Sequence, residues 1–341
     1  MSSILPNLIL CYKVKDTFYI FTPMKVKILI SDDVHPQLIK NLEGLGFEID
    51  FFPNITLEEV GKIIKSYNGL IINSKIIVSE SLLSSTQNLE FVARLGSGME
   101  IIDFEATKKR NIKVFNSPKG NCDAVAEHAI GLLLALANKL VIANNEVKQF
   151  SWNREKNRGF EIGGKTIGII GLGHTGSSFA RKLSGFETKI VAYDKYLVSK
   201  QDGLDHVEMV GLEELKQKTD ILSFHLPLNL ETKFFGNNDF FQSFKKNIVV
   251  INTSRGSIIK TEDLIKNIEN KKIIGAGLDV FENENPNSYT FEEREMYKRL
   301  FNNENVIVSP HIAGWSIESK FKLSNILFEQ IKQLYFDEKC K

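Results

Sequence analysis

The 341 residues include 43 basic and 42 acidic side chains, for a formal net charge of +1, so the chain lacks the electrostatic footprint that nucleic acid or an anionic membrane surface requires. Apolar residues make up 43%, with no run of about 18 uncharged apolar residues, so no helix is expected to span a membrane. Three distant cysteines, Cys11, Cys122 and Cys340, offer neither metal-ligand spacing nor a disulfide framework; they suit a reducing, cytoplasmic compartment, and no metal is expected.

This length exceeds what one core usually covers, which points to two domains. Residues 1–23 lack a basic lead and a small-residue cleavage site, and regular patterning begins only at Met24, so Met1–Pro23 is expected to be an appendage outside the fold. Val26–Ile30, Phe47–Phe52, Leu70–Ile72, Phe91–Arg94 and Lys113–Phe115 are predicted strands separated by helical patterns. One of these, TLEEVGKIIKSY, pairs Thr56 with Glu59 as a capping box and places Leu57, Val60 and Ile64 on one face. Asp123–Leu140 reads as one long apolar helix. Six further strands are predicted at Thr166–Ile170, Ile190–Tyr193, Ile221–His225, Ile248–Asn252, Gly275–Asp279 and Val306–Ser309, matching a six-stranded doubly wound sheet. The helical pattern Ile317–Phe336 follows and is expected to return to the first domain. The predicted fold is α/β with two Rossmann-like or flavodoxin-like parallel sheets. A discontinuous first domain (24–122 and 310–341) receives the second (123–309) as an insertion.

GKTIGIIGLGHTGSSFARKL places Gly171, Gly173 and Gly176 between a predicted strand and helix. The first glycine permits the tight turn, the second lets backbone approach a pyrophosphate, and the third allows close helix packing. The helix start then presents unpaired N–H groups to phosphate. The next strand ends in VAYDK, where Asp194 can accept both ribose hydroxyls and repels a 2′-phosphate. NAD is therefore expected over NADP, although the neighbouring Lys195 can offset part of that repulsion.

Ligands in open α/β sheets bind at the carboxyl ends of strands. Three such ends carry suitable groups: Arg255 in INTSRG, Asp279 and Glu284 in GLDVFENE, and His311 in SPHIAGW. With RLGSG, GLGHTG and HLPL, taken in order, these motifs resemble the D-isomer-specific 2-hydroxyacid dehydrogenase family from Met24 onward.

That resemblance implies an NAD-dependent oxidoreductase that interconverts a D-2-hydroxy acid and its 2-oxo acid. Arg255 would grip the substrate carboxylate, His311 would exchange the proton, and Glu284 would hydrogen-bond the other ring nitrogen and orient it. The family often reads Glu-Pro at this acid, whereas here Asn285 separates Glu284 from Pro286. The implied cofactor set adds His174, Thr175, His225, Pro227, Thr253, Ser254, Asp279, Ala313 and Gly314 to the three glycines and Asp194.

On the substrate side, Ser97 and Gly98 of RLGSGME are expected to offer backbone donors, with Arg94, Asn73, Ser74 and Lys75 nearby. Phosphoglycerate dehydrogenases commonly carry Arg-Ser where this chain has Asn73-Ser74. The leading expectation is nevertheless D-3-phosphoglycerate, followed by glyoxylate or hydroxypyruvate reduction or D-lactate oxidation. An NADH-sensing co-repressor is the alternative of another class. The resemblance also implies a homodimer joined through the cofactor domains. His128 lies within an apolar helix, His35 and His206 read as loop or surface positions, and Trp152 and Trp315 as aromatic bulk.

Overall fold

The computed structural model describes residues 11–14, 17–20, 26–197 and 202–336. Most of the proposed appendage lies outside this range. Within it, β1 (Cys11–Val14) and β2 (Thr17–Ile20) pair antiparallel as a separate two-stranded sheet, although no element was expected before Met24. The aromatic and β-branched residues of CYKV and TFYI account for the strands. The chain divides into two compact units, Met1–Ser117 with Ser324–Lys341, and Pro118–Leu323. The pattern-based joins at 122/123 and 309/310 differ from these because backbone N–H groups of Ile312 and Ala313 bond the Asp279 carboxylate at 3.0 and 2.8 Å. At the other end, a Cβ on Gly120 would lie 2.8 Å from the Leu323 backbone, so the two ends of this unit meet.

In the first unit, β3 (Lys27–Ile30), β4 (Glu48–Phe51), β5 (Gly69–Ile72), β6 (Phe91–Arg94) and β7 (Lys113–Asn116) form an all-parallel sheet, ordered β4-β3-β5-β6-β7. That is the flavodoxin-like order, whose switch point lies between β3 and β5. Leu29, Leu70, Ile72 and Val92 pack with Val60 and Ile64 in its core. The capping box expected at Thr56 is present: its backbone N–H donates to Glu59 at 2.8 Å, and its hydroxyl accepts the Glu59 N–H at 3.3 Å. The long last helix returns here, with Tyr335 packing edge-on against Phe47 at 5.1 Å.

In the second unit, β8 (Thr166–Ile170), β9 (Lys189–Tyr193), β10 (Val207–Met209), β11 (Ile221–Phe224), β12 (Ile248–Asn252), β13 (Ile273–Leu278) and β14 (Val306–Val308) form a parallel sheet. Their order is β10-β9-β8-β11-β12-β13-β14. Numbered from β8, this is 3-2-1-4-5-6 with a seventh strand, the doubly wound dinucleotide order. The sequence pattern missed β10, whose three residues, VEM, include only one β-branched side chain. Period-two alternation loads both faces: Ile167, Ile169, Val249 and Ile251 face one core, and Ile170, Leu222, Val250 and Phe224 the other.

The predicted helix 123–140 is instead two helices. Cys122–Ala137 ends at Asn138, whose side-chain amide bonds the Leu134 carbonyl at 3.0 Å, and Lys139 takes a left-handed conformation at φ +52°. Leu140–Lys148 then departs at 61°. Among the described residues no single helix is long and apolar enough to cross a membrane.

Candidate active site

Strand order places the switch point between β8 and β11, and both strands end beside the glycine turn. Gly171 has φ +90°, and a Cβ there would overlap the His225 carbonyl. A Cβ on Gly176 would overlap the Gly171 carbonyl, so both positions require glycine for close approach. Gly173 faces open space, with nothing within 4 Å of a built Cβ. It is the N-cap of the helix His174–Leu183 and supplies no side-chain cap, which leaves the first-turn N–H groups, including that of Thr175, without one. Asp194 stands at the end of β9. One carboxylate oxygen accepts the Leu172 N–H at 2.8 Å, and the other accepts those of Tyr196 and Leu197 at 2.9 and 3.1 Å.

A nicotinamide dinucleotide fits this edge on two further observations. The Thr253 hydroxyl after β12 and Nδ1 of His225 after β11 are buried without a partner, and both belong to the expected cofactor set. The His225 ring sits 5.0 Å from Phe179, and its Nε2 pairs with Ser223 Oγ at 2.9 Å. Burial pushes this imidazole from 6.5 down to about 3. Below pH ~6.5 the unfolded chain binds a proton that the folded ring refuses, so stability falls as pH drops towards 3, by at most ~1.4 kcal/mol per pH unit. Urea unfolding across that window should show His225→Asn losing stability less steeply than the wild type; parallel pH dependences would contradict a neutral buried ring.

The remaining expected cofactor positions are at the same strand ends, but several serve the loops themselves. Ser254 donates N–H and hydroxyl to Asn252 Oδ1 at 3.1 and 2.7 Å. Pro227 lends its carbonyl to Thr232 at 2.6 Å, and Gly314 lends its own to Ser319 at 2.6 Å. Ala313 is buried. The Asp279 carboxylate is wholly buried and anchors the histidine turn: it accepts the N–H groups of Ile312 and Ala313, and Ser309 Oγ donates to it at 2.5 Å. Sequence reasoning missed the next member of this network. His128 Nε2 lies 2.8 Å from Ser309 Oγ and 3.5 Å from Asp279. The available signal was a lone imidazole on an otherwise apolar helix.

His311 follows on this turn with φ +54°, and its own N–H bonds the Asp279 carbonyl at 2.8 Å. The twist turns the ring towards Glu284, whose Oε2 is 2.7 Å from Nδ1. Glu284 is itself held, with Oε1 accepting the Phe281 N–H at 3.2 Å. The inserted Asn285 does not break the pair; it caps a short turn at Pro286–Ser288 instead. The ring remains half-exposed, so Nε2 is open to a bound group. Arg255 reaches the assembly through its neighbour: a Cβ on Gly256 would overlap the Phe281 carbonyl, so the arginine loop rests on the glutamate loop. The Arg255 carbonyl accepts the Asn252 side-chain amide at 3.0 Å, and its guanidinium donates to the Ser254 carbonyl at 2.7 Å. Gly256→Ala should therefore cost about 1–3 kcal/mol and lower kcat/KM by roughly tenfold or more. Thermal unfolding with steady-state kinetics checks this; unchanged kinetics would mean that the two loops are independent.

In the first unit, the expected substrate residues gather at the ends of β5 and β6, and their charges are engaged within the unit. Arg94 donates from Nε to the Asn73 carbonyl at 3.0 Å and from Nη1 to the Gly98 carbonyl, and lies 3.4 Å from Glu100. Lys75 bonds the Pro53 carbonyl and lies 3.9 Å from Asp32, which also accepts the Asn73 N–H at 2.7 Å. Asn116 holds the Ser97 carbonyl at 3.0 Å, and Ser74 is exposed. Arg94 and Lys75, the cations nearest Asn73-Ser74, are thus both engaged by groups of their own unit.

Comparison with known proteins agrees with this architecture. The D-isomer specific 2-hydroxyacid dehydrogenase, NAD binding domain, matches residues 130–313. The chain is 33% identical over 295 residues to a hydroxypyruvate reductase of Thermotoga maritima, covering 86% of this chain and 92% of that protein. It is 30% identical over 306 residues to the D-3-phosphoglycerate dehydrogenase of Archaeoglobus fulgidus, covering 90% of this chain and 56% of that one. It thus spans little more than half the length of the D-3-phosphoglycerate dehydrogenases it matches. The apo structure of D-lactate dehydrogenase from Escherichia coli superposes with a TM-score of 0.76 at 29% identity, covering 91% of this chain and 96% of that one. With its parallel sheets, its glycine turn and the ordered strand-end motifs, the chain belongs to the D-isomer specific 2-hydroxyacid dehydrogenase family.

Proposed function

We propose that this protein catalyses NAD-dependent interconversion of a D-2-hydroxy acid and its 2-oxo acid. The observation that carries the reading is the 2.7 Å contact between His311 and Glu284, on the edge of the sheet that holds the glycine turn. Reduction of a 2-oxo acid requires a hydride at the carbonyl carbon, a proton at its oxygen and a cation for its carboxylate. Reduced nicotinamide, when bound, supplies the hydride. His311 donates the proton from Nε2, while Glu284 holds Nδ1–H and keeps the ring aimed. Arg255 takes the carboxylate in its planar fork. In oxidation, His311 takes the hydroxyl proton instead.

D-3-phosphoglycerate is the leading substrate in this reading, supported by the names of several relatives. The internal pairing of Arg94 and Lys75 favours a second, unphosphorylated substrate such as hydroxypyruvate, with glyoxylate and pyruvate as smaller candidates. A homodimer in the cytoplasm completes the proposal. It is supported by a run of exposed apolar side chains in the second unit, Leu140, Val141, Val147, Phe150 and Trp152.

The deciding experiment follows NADH oxidation with phosphohydroxypyruvate, hydroxypyruvate, glyoxylate and pyruvate. Turnover on at least one supports the dehydrogenase, and the ranking of kcat/KM identifies the substrate. NADH binding with no turnover across the panel would overturn the enzyme reading in favour of an NADH-sensing protein.

A further inference from the structure

Asp194 accounts for only part of the surroundings of the β9 strand end. Its neighbour Lys195 is an exposed cation one residue from the expected ribose site, where a free ammonium would welcome a 2′-phosphate. Lys195 is not left to do so. Its Nζ lies 2.7 Å from Oε2 of Glu231, in the loop after β11, and the Tyr196 hydroxyl donates to the same oxygen at 2.8 Å.

Glu231 is held in place for this contact. Asn229 Oδ1 accepts the N–H groups of Glu231 and Thr232 at 2.9 and 3.0 Å. The Thr232 hydroxyl in turn accepts the Asn229 N–H at 2.9 Å and donates to the Pro227 carbonyl. The Asp194 turn is equally fixed by its three backbone donors. Two braced loops, from the ends of β9 and β11 on either side of β8, thus present one carboxylate to one lysine. Each partner shifts the other in the direction of a formed pair, with Lys195 holding the Glu231 carboxyl down and Glu231 holding the Lys195 ammonium up.

We propose that Glu231 is a cofactor-specificity residue: it tethers Lys195, withdrawing the cation that a 2′-phosphate would need, and so reinforces the exclusion of NADP that Asp194 begins. The proposal rests on the reading of this edge as a dinucleotide site. Both side chains are about half exposed, so the tether is a modest one, worth a discrimination of roughly twofold to fivefold.

The test is binding, read by fluorescence titration of NADH and NADPH on the full chain. Glu231→Gln should tighten NADPH relative to NADH by roughly twofold to fivefold, with the gain shrinking as salt is raised. Lys195→Ala alone should leave the ratio near that of the wild type, because the lysine is already withdrawn. In the double variant the gain should disappear. A ratio unchanged by Glu231→Gln would overturn the proposal, as would a gain that survives removal of Lys195. Failure of the wild type to bind either nucleotide would instead strike the dinucleotide reading itself. Tyr196→Phe supplies an independent check if Glu231→Gln misfolds: loosening the same carboxylate should move the ratio in the same direction by a smaller amount, and no movement would count against the tether.

Discussion

Replacing His311 by alanine should lower kcat for 2-oxo acid reduction by about 10²–10⁴-fold, the usual worth of a positioned general acid. NADH affinity should stay within about twofold, because the contacts expected to hold the dinucleotide lie on the glycine turn and at Asp194, away from this ring. The argument rests on three features of one side chain. Its Nδ1 is taken by Glu284, its Nε2 side is exposed, and its backbone is turned out of the extended region at φ +54°. A histidine serving only the core would have both nitrogens satisfied inside. Single-turnover reduction alongside NADH titration separates the two quantities. Parallel loss of binding and rate would show the ring to be structural, and retention of the rate would remove it from the chemistry.

The second large effect is expected at Asp279, which does not touch the proton. Asp279→Ala should cost about 3–5 kcal/mol, because a wholly buried carboxylate is removed and its donors lose their shared acceptor, the buried Ala313 N–H above all. Those donors are the N–H groups of Ile312 and Ala313 and the hydroxyl of Ser309. For a unit of this size the midpoint of unfolding should fall by roughly 6–20 °C. The kinetic consequence follows from conformation. A left-handed non-glycine residue costs about 1–2 kcal/mol, and at His311 the bonds that flanking Ser309, Ile312 and Ala313 make to the Asp279 carboxylate offset that cost. Without them the turn relaxes and the ring leaves Glu284. Activity measured well below the new midpoint should therefore still be depressed, with kcat affected more than NADH affinity. A variant that keeps both its midpoint and its rate would show that the turn holds its shape without the carboxylate.

Much of this was readable in the sequence because the relevant signals are local. A glycine turn followed by an acid at the next strand end specifies backbone geometry within one strand–helix–strand unit, as at Gly171, Gly173 and Asp194. The capping box of Thr56 and Glu59 depends on four consecutive residues. The strand-end motifs carrying Arg255, Glu284 and His311 follow from the rule that ligands sit at carboxyl edges. What escaped was decided at longer range or by very short segments. The strand Val207–Met209 reads VEM, with one β-branched residue where the equally short Val306–Val308 has three, so it does not register, yet it completes the sheet order. The break at Asn138 and Lys139 is marked in the sequence by no more than these two polar residues, which a continuous helix can also carry on its exposed face, and the left-handed Lys139 reveals it. His128 looked like an apolar-face histidine because its partners, Ser309 and Asp279, are more than 150 positions away. The engagement of Arg94 and Lys75 was not legible, because a sequence does not show which carbonyls and carboxylates will surround them.

The meeting of Gly120 with Leu323 bears on how such a chain is assembled. A guest whose first and last residues are neighbours asks its host for a gap no wider than a side chain. Once the guest has folded, Ser117 and Ser324 are already drawn together, so the host closes what amounts to a short loop instead of one of about two hundred residues. The host sheet can then recruit its distant last helix with little further loss of chain entropy, and the interrupted half of the protein behaves, thermodynamically, almost as if it had been written as one uninterrupted stretch.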